Sequence, residues 1–357
     1  MMLALGGDMQ LHLPPAGRCY EADTGFVPAQ HHAGLLLEYA RQRELSLPEA
    51  AGQPAWRERI SPRELLNLLV DVVRADRAPD TAFLLGQAWW PGHAGAASHA
   101  LAHAADLGQA LALLVEHSAT LSPLLTPRCL LGPRHALVYW LDASGEHAHR
   151  NLLVDLHASA LVAMARWLSG EHLPWVVCLN RPAPRDGAQL DTHLGSSLRF
   201  DCQLDALLID AQWLQRPWPR GQGMAAEAAR RGGQQRDGQP VRGMLAALYD
   251  HLLRQLLDAA EDTTLPAPTL ERAAAAFATS PATFKRVLAR HGTHFQAELD
   301  QVRAHLAMHL FHHQGLANDE VARQLGFHDS TNFRRSFKRW TGMTPSLLRA
   351  ALGAVGL

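Results

Sequence analysis

The residues whose chemistry is easiest to read lie near the carboxyl end. Arg334, Arg335, Lys338 and Arg339 interleave with Phe333, Phe337 and Trp340. The aromatics recur at i, i+4 and i+7, so they share one helical face and leave the cations on the others. Lysine ammonium groups bond phosphate oxygens, and a guanidinium can also bond a base edge. A looser copy stands upstream, where Lys285, Arg286 and Arg290 surround Phe284, Val287 and Leu288. From Pro266 to Ala350 eleven Lys/Arg face six Asp/Glu, a net of +5, whereas the whole chain of 357 residues carries −1. A locally basic module on a near-neutral protein is what affinity for a phosphate backbone requires.

Other chemistries find little support. The 21 histidines include i,i+4 pairs at His99/His103 and His305/His309, with His312 and His313 close to the latter. Two imidazoles one turn apart can bind zinc or nickel, but no cysteine or carboxylate falls at a matching spacing, so no metal site is expected. There is no H-E-x-x-H, no serine in a G-x-S-x-G setting and no G-x-x-x-x-G-K-[ST] loop. Neither enzymatic activity nor a cofactor is expected. Cys19, Cys129, Cys178 and Cys202 are scattered, as befits thiols in a reducing cytoplasm. The first ten residues hold no basic region and no sustained apolar stretch, so no secretory signal or membrane partner is expected.

The cations need a rigid frame. GLANDEVARQLGFHDSTNFRRSFKRWTG places Leu316, Val321 and Leu325 on one face, breaks at Gly326-Phe327, and starts a second helix at Asp329 or Ser330, either of which can cap it. Helix, tight turn, then basic amphipathic helix is a helix-turn-helix pattern. In APTLERAAAAFATSPATFKRVLARHG, Leu270, Ala273, Ala274 and Phe277 line one helix; Ser280 and Pro281 suit the start of the next. Between the units Phe295, Leu299, Val302, Leu306 and Leu310 form the stripe of one linker helix. If that helix spaces the two basic helices by about 34 Å, one chain can enter successive major-groove segments on one face of a duplex.

These segments resemble the DNA-binding domain of the AraC/XylS family of bacterial transcription factors. The second unit carries Ala322, Leu325, Gly326, Phe327, Phe333, Arg335, Phe337, Lys338, Gly342, Pro345 and Arg349; the first keeps Ser280, Pro281, Phe284, Arg286, Leu288, Gly292 and Phe295. It departs at Ala282, where relatives often have arginine or another large polar or aromatic residue. The resemblance implies double-stranded DNA as partner. Ala282, Lys285 and Arg286 would meet it from the first unit, and Ser330, Thr331, Arg334 and Arg335 from the second. Arg286 and Arg335 are the candidates for reading guanine, while Lys338 and Arg339 suit phosphates, and Arg290 adds to the first unit's basic face.

The rest of the chain reads as a multidomain arrangement: an α+β regulatory domain, then an all-α domain holding both helix-turn-helix units and their linker helix. Residues 1–29 are poorly patterned. Residues 30–216 form the regulatory domain, with a helix opening at Ser61-Pro62-Arg63-Glu64, further helices over Asp80–Gln87, Asp106–Leu124 and Asn151–Leu168, a Gly/Ala/His-rich loop after Trp90, and strands at Ala136–Leu141, near Leu198–Cys202 and near Ala206–Asp210. Residues 217–240, rich in Gly, Pro, Gln and Arg, read as a flexible connector, and 241–350 as the DNA-binding domain. Val241–Asp262 suits either that domain's first helix or the stripe of a homodimer. The order of elements in 30–216 resembles the regulatory domain found beside this reader in one arabinose-regulator subfamily. That implies a small-molecule effector, with RNA polymerase as a further partner. Trp89, Trp90, Trp140 and Trp167 could wall a site, with His93, Arg134 or Arg181 as its polar anchor. The leading expectation is an effector-responsive activator of a catabolic or metabolic operon. The alternatives are a low-specificity architectural DNA binder and a regulator acting mainly through protein contacts.

Overall fold

The computed structural model describes residues 2–4, 10–13, 17–48, 58–90, 95–143, 145, 147–236, 241–262, 264–313 and 315–347. Two units divide the chain, Met1–Met244 and Leu245–Leu357.

In the first unit, strands β1 (Met2–Ala4), β2 (Gln10–His12), β3 (Arg18–Tyr20) and β4 (Val27–Pro28) precede helix α1 (His32–Gln42). Residues 1–29 show no period in the sequence, yet they hold these four short strands. Two or three residues are too few to display a period, and distant partners complete most of these strands: β2 pairs with residues 129–131 and β3 with 241–243, while β1 pairs only with β2. After β5 (Arg59–Ile60), helix α2 (Pro62–Asp76) opens on a full capping box, in which Ser61 Oγ accepts from Glu64 N at 3.2 Å and Glu64 Oε2 accepts from Ser61 N at 2.8 Å. Then follow α3 (Thr81–Gln87), α4 (Gly95–Ala102), α5 (Leu107–Glu116) and α6 (Ser118–Leu121). Helix α4 occupies part of the stretch expected to be a loop; its alanines favour a helix, and Ala97, Ala100 and Leu101 are buried. The single helix expected over Asp106–Leu124 starts where Asp106 caps Gln109 N at 2.8 Å but is interrupted at His117.

The chain continues through β6 (Leu125–Leu131), β7 (His135–Asp142), α7 (Arg150–Ser169), β8 (Val176–Cys178), α8 (Ala188–Leu194), β9 (Leu198–Arg199), β10 (Ala206–Asp210), α9 (Gly223–Arg236) and β11 (Val241–Gly243). Seven strands form a sheet in the order β1-β2-β6-β7-β10-β8-β9, antiparallel except for the pair β8 and β9. Leu125 to Leu130 are buried without alternation, so both faces of β6 are covered. Helix α7 is long and apolar enough by composition to cross a membrane, but 67% of its apolar window is buried in this fold, as in a core helix. Helix α3 packs on α7 at close range: a Cβ at Gly86 would stand 2.3 Å from the Leu156 carbonyl oxygen. The supposed connector holds α9, which lies against α4 with Ala226 fully buried and Arg230 bonded to Glu116 at 3.0 Å. Its MAAEAAR stretch has the propensity for a helix, and the α4 surface gives that helix something to cover.

The second unit is helical. Helix α10 (Met244–Glu261) is followed by α11 (Leu270–Ala276), α12 (Pro281–Arg290), α13 (Phe295–His313), α14 (Asn318–Gln324) and α15 (Ser330–Thr341). The apolar stripe of α10 is already buried, with Leu248 and Leu252 at 0% exposure. Tyr249 Oη lies 3.0 Å from His305 Nδ1 on α13, and His251 meets the Phe277 ring edge-on at 6.1 Å. This helix therefore opens the second unit, and its apolar stripe is packed within the fold.

Candidate nucleic-acid interface

Each basic helix begins where its sequence fixes it. Ser280 Oγ accepts from Thr283 N at 3.2 Å, and Pro281 takes the first position of α12, where its missing N–H costs nothing. Asp329, rather than Ser330, caps α15: its Oδ1 accepts from Asn332 N at 2.7 Å, and that bond holds its carboxyl below the ordinary carboxylate range. Gly342, at φ 75°, ends α15 in the left-handed region. The turn inside each unit also needs a left-handed residue. The second uses Gly326 at φ 75°, whereas the first uses Ala278 at φ 52°, a conformation that costs a residue with a Cβ about 1 kcal/mol.

Aromatic packing sets how these helices face. Phe284, Phe333 and Phe337 are fully buried. Phe333 touches Phe311, Phe327 and Phe337 at ring separations of 5.9, 5.7 and 5.7 Å, and Phe327 meets Trp340 at 5.7 Å. Phe311 comes from α13, so the linker helix supplies the floor on which α15 sits. The sequence stripe of α13 did not include it. With Phe333 and Phe337 committed inward, helical geometry sends Thr331, Arg334, Arg335, Lys338 and Arg339 outward over roughly half the circumference. All five are exposed, and Ser330 is half-buried. On α12 the same logic exposes Ala282, Lys285, Arg286 and Arg290 opposite buried Phe284, Val287 and Leu288.

The cations differ in what already holds them. Arg334 folds back on its own helix, with Nε 3.3 Å from the Ser330 carbonyl oxygen. Arg286 donates to Thr283 Oγ1 at 3.3 Å. Arg339 pairs with Asp300 of α13 at 3.1 Å, a tie between the end of α15 and the linker helix that sequence spacing could not reveal. Lys285, Arg335 and Lys338 have no ion-pair or hydrogen-bond partner among the described residues. Two capped helices thus present unneutralised cations from a common helical frame.

Comparison with known proteins decides the family. Residues 42–218 match the arabinose-binding domain found at the amino terminus of AraC transcription regulators, and residues 273–351 match a helix-turn-helix domain. The chain belongs to the AraC/XylS family of transcription regulators. It is similar to an ornithine utilization regulator of Pseudomonas aeruginosa, 28% identical over 76% of this chain and 79% of that one. An uncharacterized HTH-type regulator of Mycobacterium tuberculosis is 37% identical over 22% of this chain and 23% of its own length. Among solved structures, the regulator CdpR of Pseudomonas aeruginosa aligns over 89% of this chain and 97% of its own, at 20% identity and a TM-score of 0.44. This AraC/XylS-family protein is a DNA-binding transcription regulator with an α+β amino-terminal domain and a helical carboxyl-terminal one.

The residues suggested for an effector do not converge. Trp89, Trp90 and Trp140 are core residues with at most 1% exposure. Trp89 stacks on His32 at 4.4 Å and meets His157 edge-on at 6.1 Å, and Trp90 Nε1 donates to the Leu121 carbonyl. Arg134 is exposed between β6 and β7, and Arg181 is paired with Asp155 through bonds of 3.0 and 2.5 Å. His93 lies outside the described residues. Trp167 lines a cleft of about 640 Å³ in the amino-terminal unit. Arg166, His172, Asp191, His193 and Arg220 share it. The Arg220 guanidinium lies over the Trp167 ring at 5.6 Å, and His193 stacks on Phe83 at 5.0 Å. Sequence reasoning missed these polar residues because they come from four separate segments, and nothing local marks them as neighbours.

Proposed function

We propose that this regulator enters two successive major-groove segments of a promoter with α12 and α15, and that a small-molecule effector held by its amino-terminal unit turns that binding into activation. The observation that carries the reading is the pair of capped helices whose Phe284, Phe333 and Phe337 are wholly buried and whose Lys285, Arg335 and Lys338 are exposed and unneutralised. One chain carries both helices, so a single copy suffices for the two segments, and RNA polymerase would be met on the same DNA in the cytoplasm. Arg335 and Arg286 read guanine O6 and N7 in this proposal; Lys285, Arg290 and Lys338 meet phosphates, with Arg334 and Arg339 beside them; Ala282, Ser330 and Thr331 line the groove. The cleft around Trp167 is the proposed effector site. Its arginines and Asp191 offer both charges to a zwitterion, which agrees with a relative named for ornithine utilization. An effector acts only through different affinities for the DNA-competent and incompetent states.

The test is mapping of binding sites across the genome, followed by affinity measurements on a recovered site and its point variants. Arg335→Ala is expected to weaken specific binding by about 1–3 kcal/mol and to relax discrimination at one base pair. An equal loss on every sequence would favour an architectural DNA binder instead. Absence of any preference for promoter fragments over random DNA, with or without amino-acid effectors, would refute the proposal.

A further inference from the structure

Cys178 ends β8, and Cys202 lies on the turn between β9 and β10. The backbone holds them together from several directions. Cys178 is the register partner of Arg199 on one side and of Ala206 on the other. The turn between those residues is pinned back on the strand: Asp201 N–H donates to the Arg181 carbonyl at 2.9 Å, and Cys202 N–H donates to the Leu179 carbonyl at 3.0 Å. Asp201 adopts φ 53° to make this fold-back. The fold-back brings the two thiols close enough to interact, with Cys202 Sγ also 3.6 Å from the Arg199 carbonyl oxygen and 3.8 Å from that of Phe200. Both residues are half-buried, so a small oxidant can reach them while bulk solvent is largely kept off.

We propose that Cys202 and Cys178 form a peroxide-reactive dithiol, in which Cys202 attacks and Cys178 resolves. The Cys202 thiolate attacks one peroxide oxygen; the O–O bond breaks, hydroxide leaves and takes up a proton as water, and Cys202 becomes a sulfenic acid. Cys178 then attacks that sulfur, an S–S bond forms, and the sulfenic oxygen leaves as a second water with the protons. Two thiols are oxidised by two electrons and one hydrogen peroxide is reduced to two waters; a small-molecule thiol reverses the change by exchange.

The local chemistry supports this order of events. Interaction with Cys178 holds the Cys202 thiol below the ordinary range, and the charge of Arg199 acts in the same direction. The same interaction and burial push Cys178 up, as suits a resolving thiol. The other two cysteines are poor competitors. Cys129 has 0% exposure and burial pushes it up to about 12. Cys19 lies on an exposed residue, yet desolvation of its sulfur raises it despite Arg242 nearby. Reactivity follows thiolate fraction and access together, and only Cys202 combines them.

The experiment treats the reduced full-length protein with a few molar equivalents of hydrogen peroxide, then measures intact mass and maps disulfide-linked peptides. Loss of two hydrogens with a Cys178–Cys202 linked peptide is expected, faster than any Cys19 modification by about tenfold or more. Cys178→Ser should leave a sulfenic acid on Cys202 that dimedone traps, Cys202→Ser should abolish both products, and Cys19→Ser should react as the parent. The wild-type peptide map needs no variant to fold. Oxidation of Cys19 before Cys202, a linked pair other than Cys178–Cys202, or four unmodified thiols at a large excess of peroxide would overturn the proposal.

Discussion

Acidification should destabilise the amino-terminal unit through one histidine. His157 is wholly buried on α7, with Nδ1 2.7 Å from the Leu153 carbonyl oxygen, so the neutral ring donates there and keeps its lone pair on Nε2. Nε2 has no partner among the described residues, and the nearest ring is Trp89 at 6.1 Å. Burial lowers the pKa of His157 from 6.5 to about 4. Between those values the unfolded chain binds the proton and the folded one does not, so stability is intact above pH 6.5 and falls as the pH drops toward 4. At about 1.4 kcal/mol per pKa unit, the full loss is roughly 3 kcal/mol, with roughly 2 kcal/mol gone at pH 5. For a unit of this size that is a fall in Tm of about 4–8 °C. Tryptophan fluorescence is the suitable probe, because every tryptophan except Trp340 lies in residues 1–244. His157→Leu, close in volume and unable to take a proton, should flatten the pH dependence between 7 and 5 relative to the parent. Parallel Tm curves for the two proteins would refute the argument, since the parent's slope would then come from other groups.

The remaining predictions concern packing, backbone and charge. Gly86→Ala should cost about 1–3 kcal/mol or more, because the new methyl would meet the Leu156 carbonyl at 2.3 Å and the α3–α7 contact must open; urea titration of the amino-terminal unit measures it, and a neutral result would mean that α3 can slide. Ala278→Gly should stabilise the carboxyl-terminal unit by a few tenths to about 1 kcal/mol by relieving a left-handed alanine, net of the greater freedom of glycine in the unfolded chain. A lower Tm for that unit would count against it. Lys338→Ala should weaken binding alike on all sequences and reduce the slope of log affinity against log salt by about 1; a changed base preference would show that Lys338 reads a base.

Much of the reading unit is written locally. Ser280-Pro281, Asp329, Gly342 and the spacing of Phe333, Phe337 and Trp340 each act within a turn or two of helix, so caps, ends and inward faces follow from the sequence alone. The same holds for Ser61 and Glu64 at the start of α2. The strands before residue 29 were not legible, since β2, β3 and β4 acquire hydrogen-bond partners from residues far away and all four have too few residues to show a pattern. The helical character of residues 223–236 likewise came from a surface to pack on, namely α4, more than from composition.

What the sequence determined by itself, then, was the basic double helix-turn-helix and its orientation, because periodicity and capping are short-range physics. Only the tertiary structure decided that Arg339 is held by Asp300, that Phe311 floors α15, that the suggested tryptophans are mostly core, and that the turn bearing Cys202 folds back beside Cys178. Each of those facts joins residues whose separation along the chain carries no signal, and chain reversals alone bring them within reach.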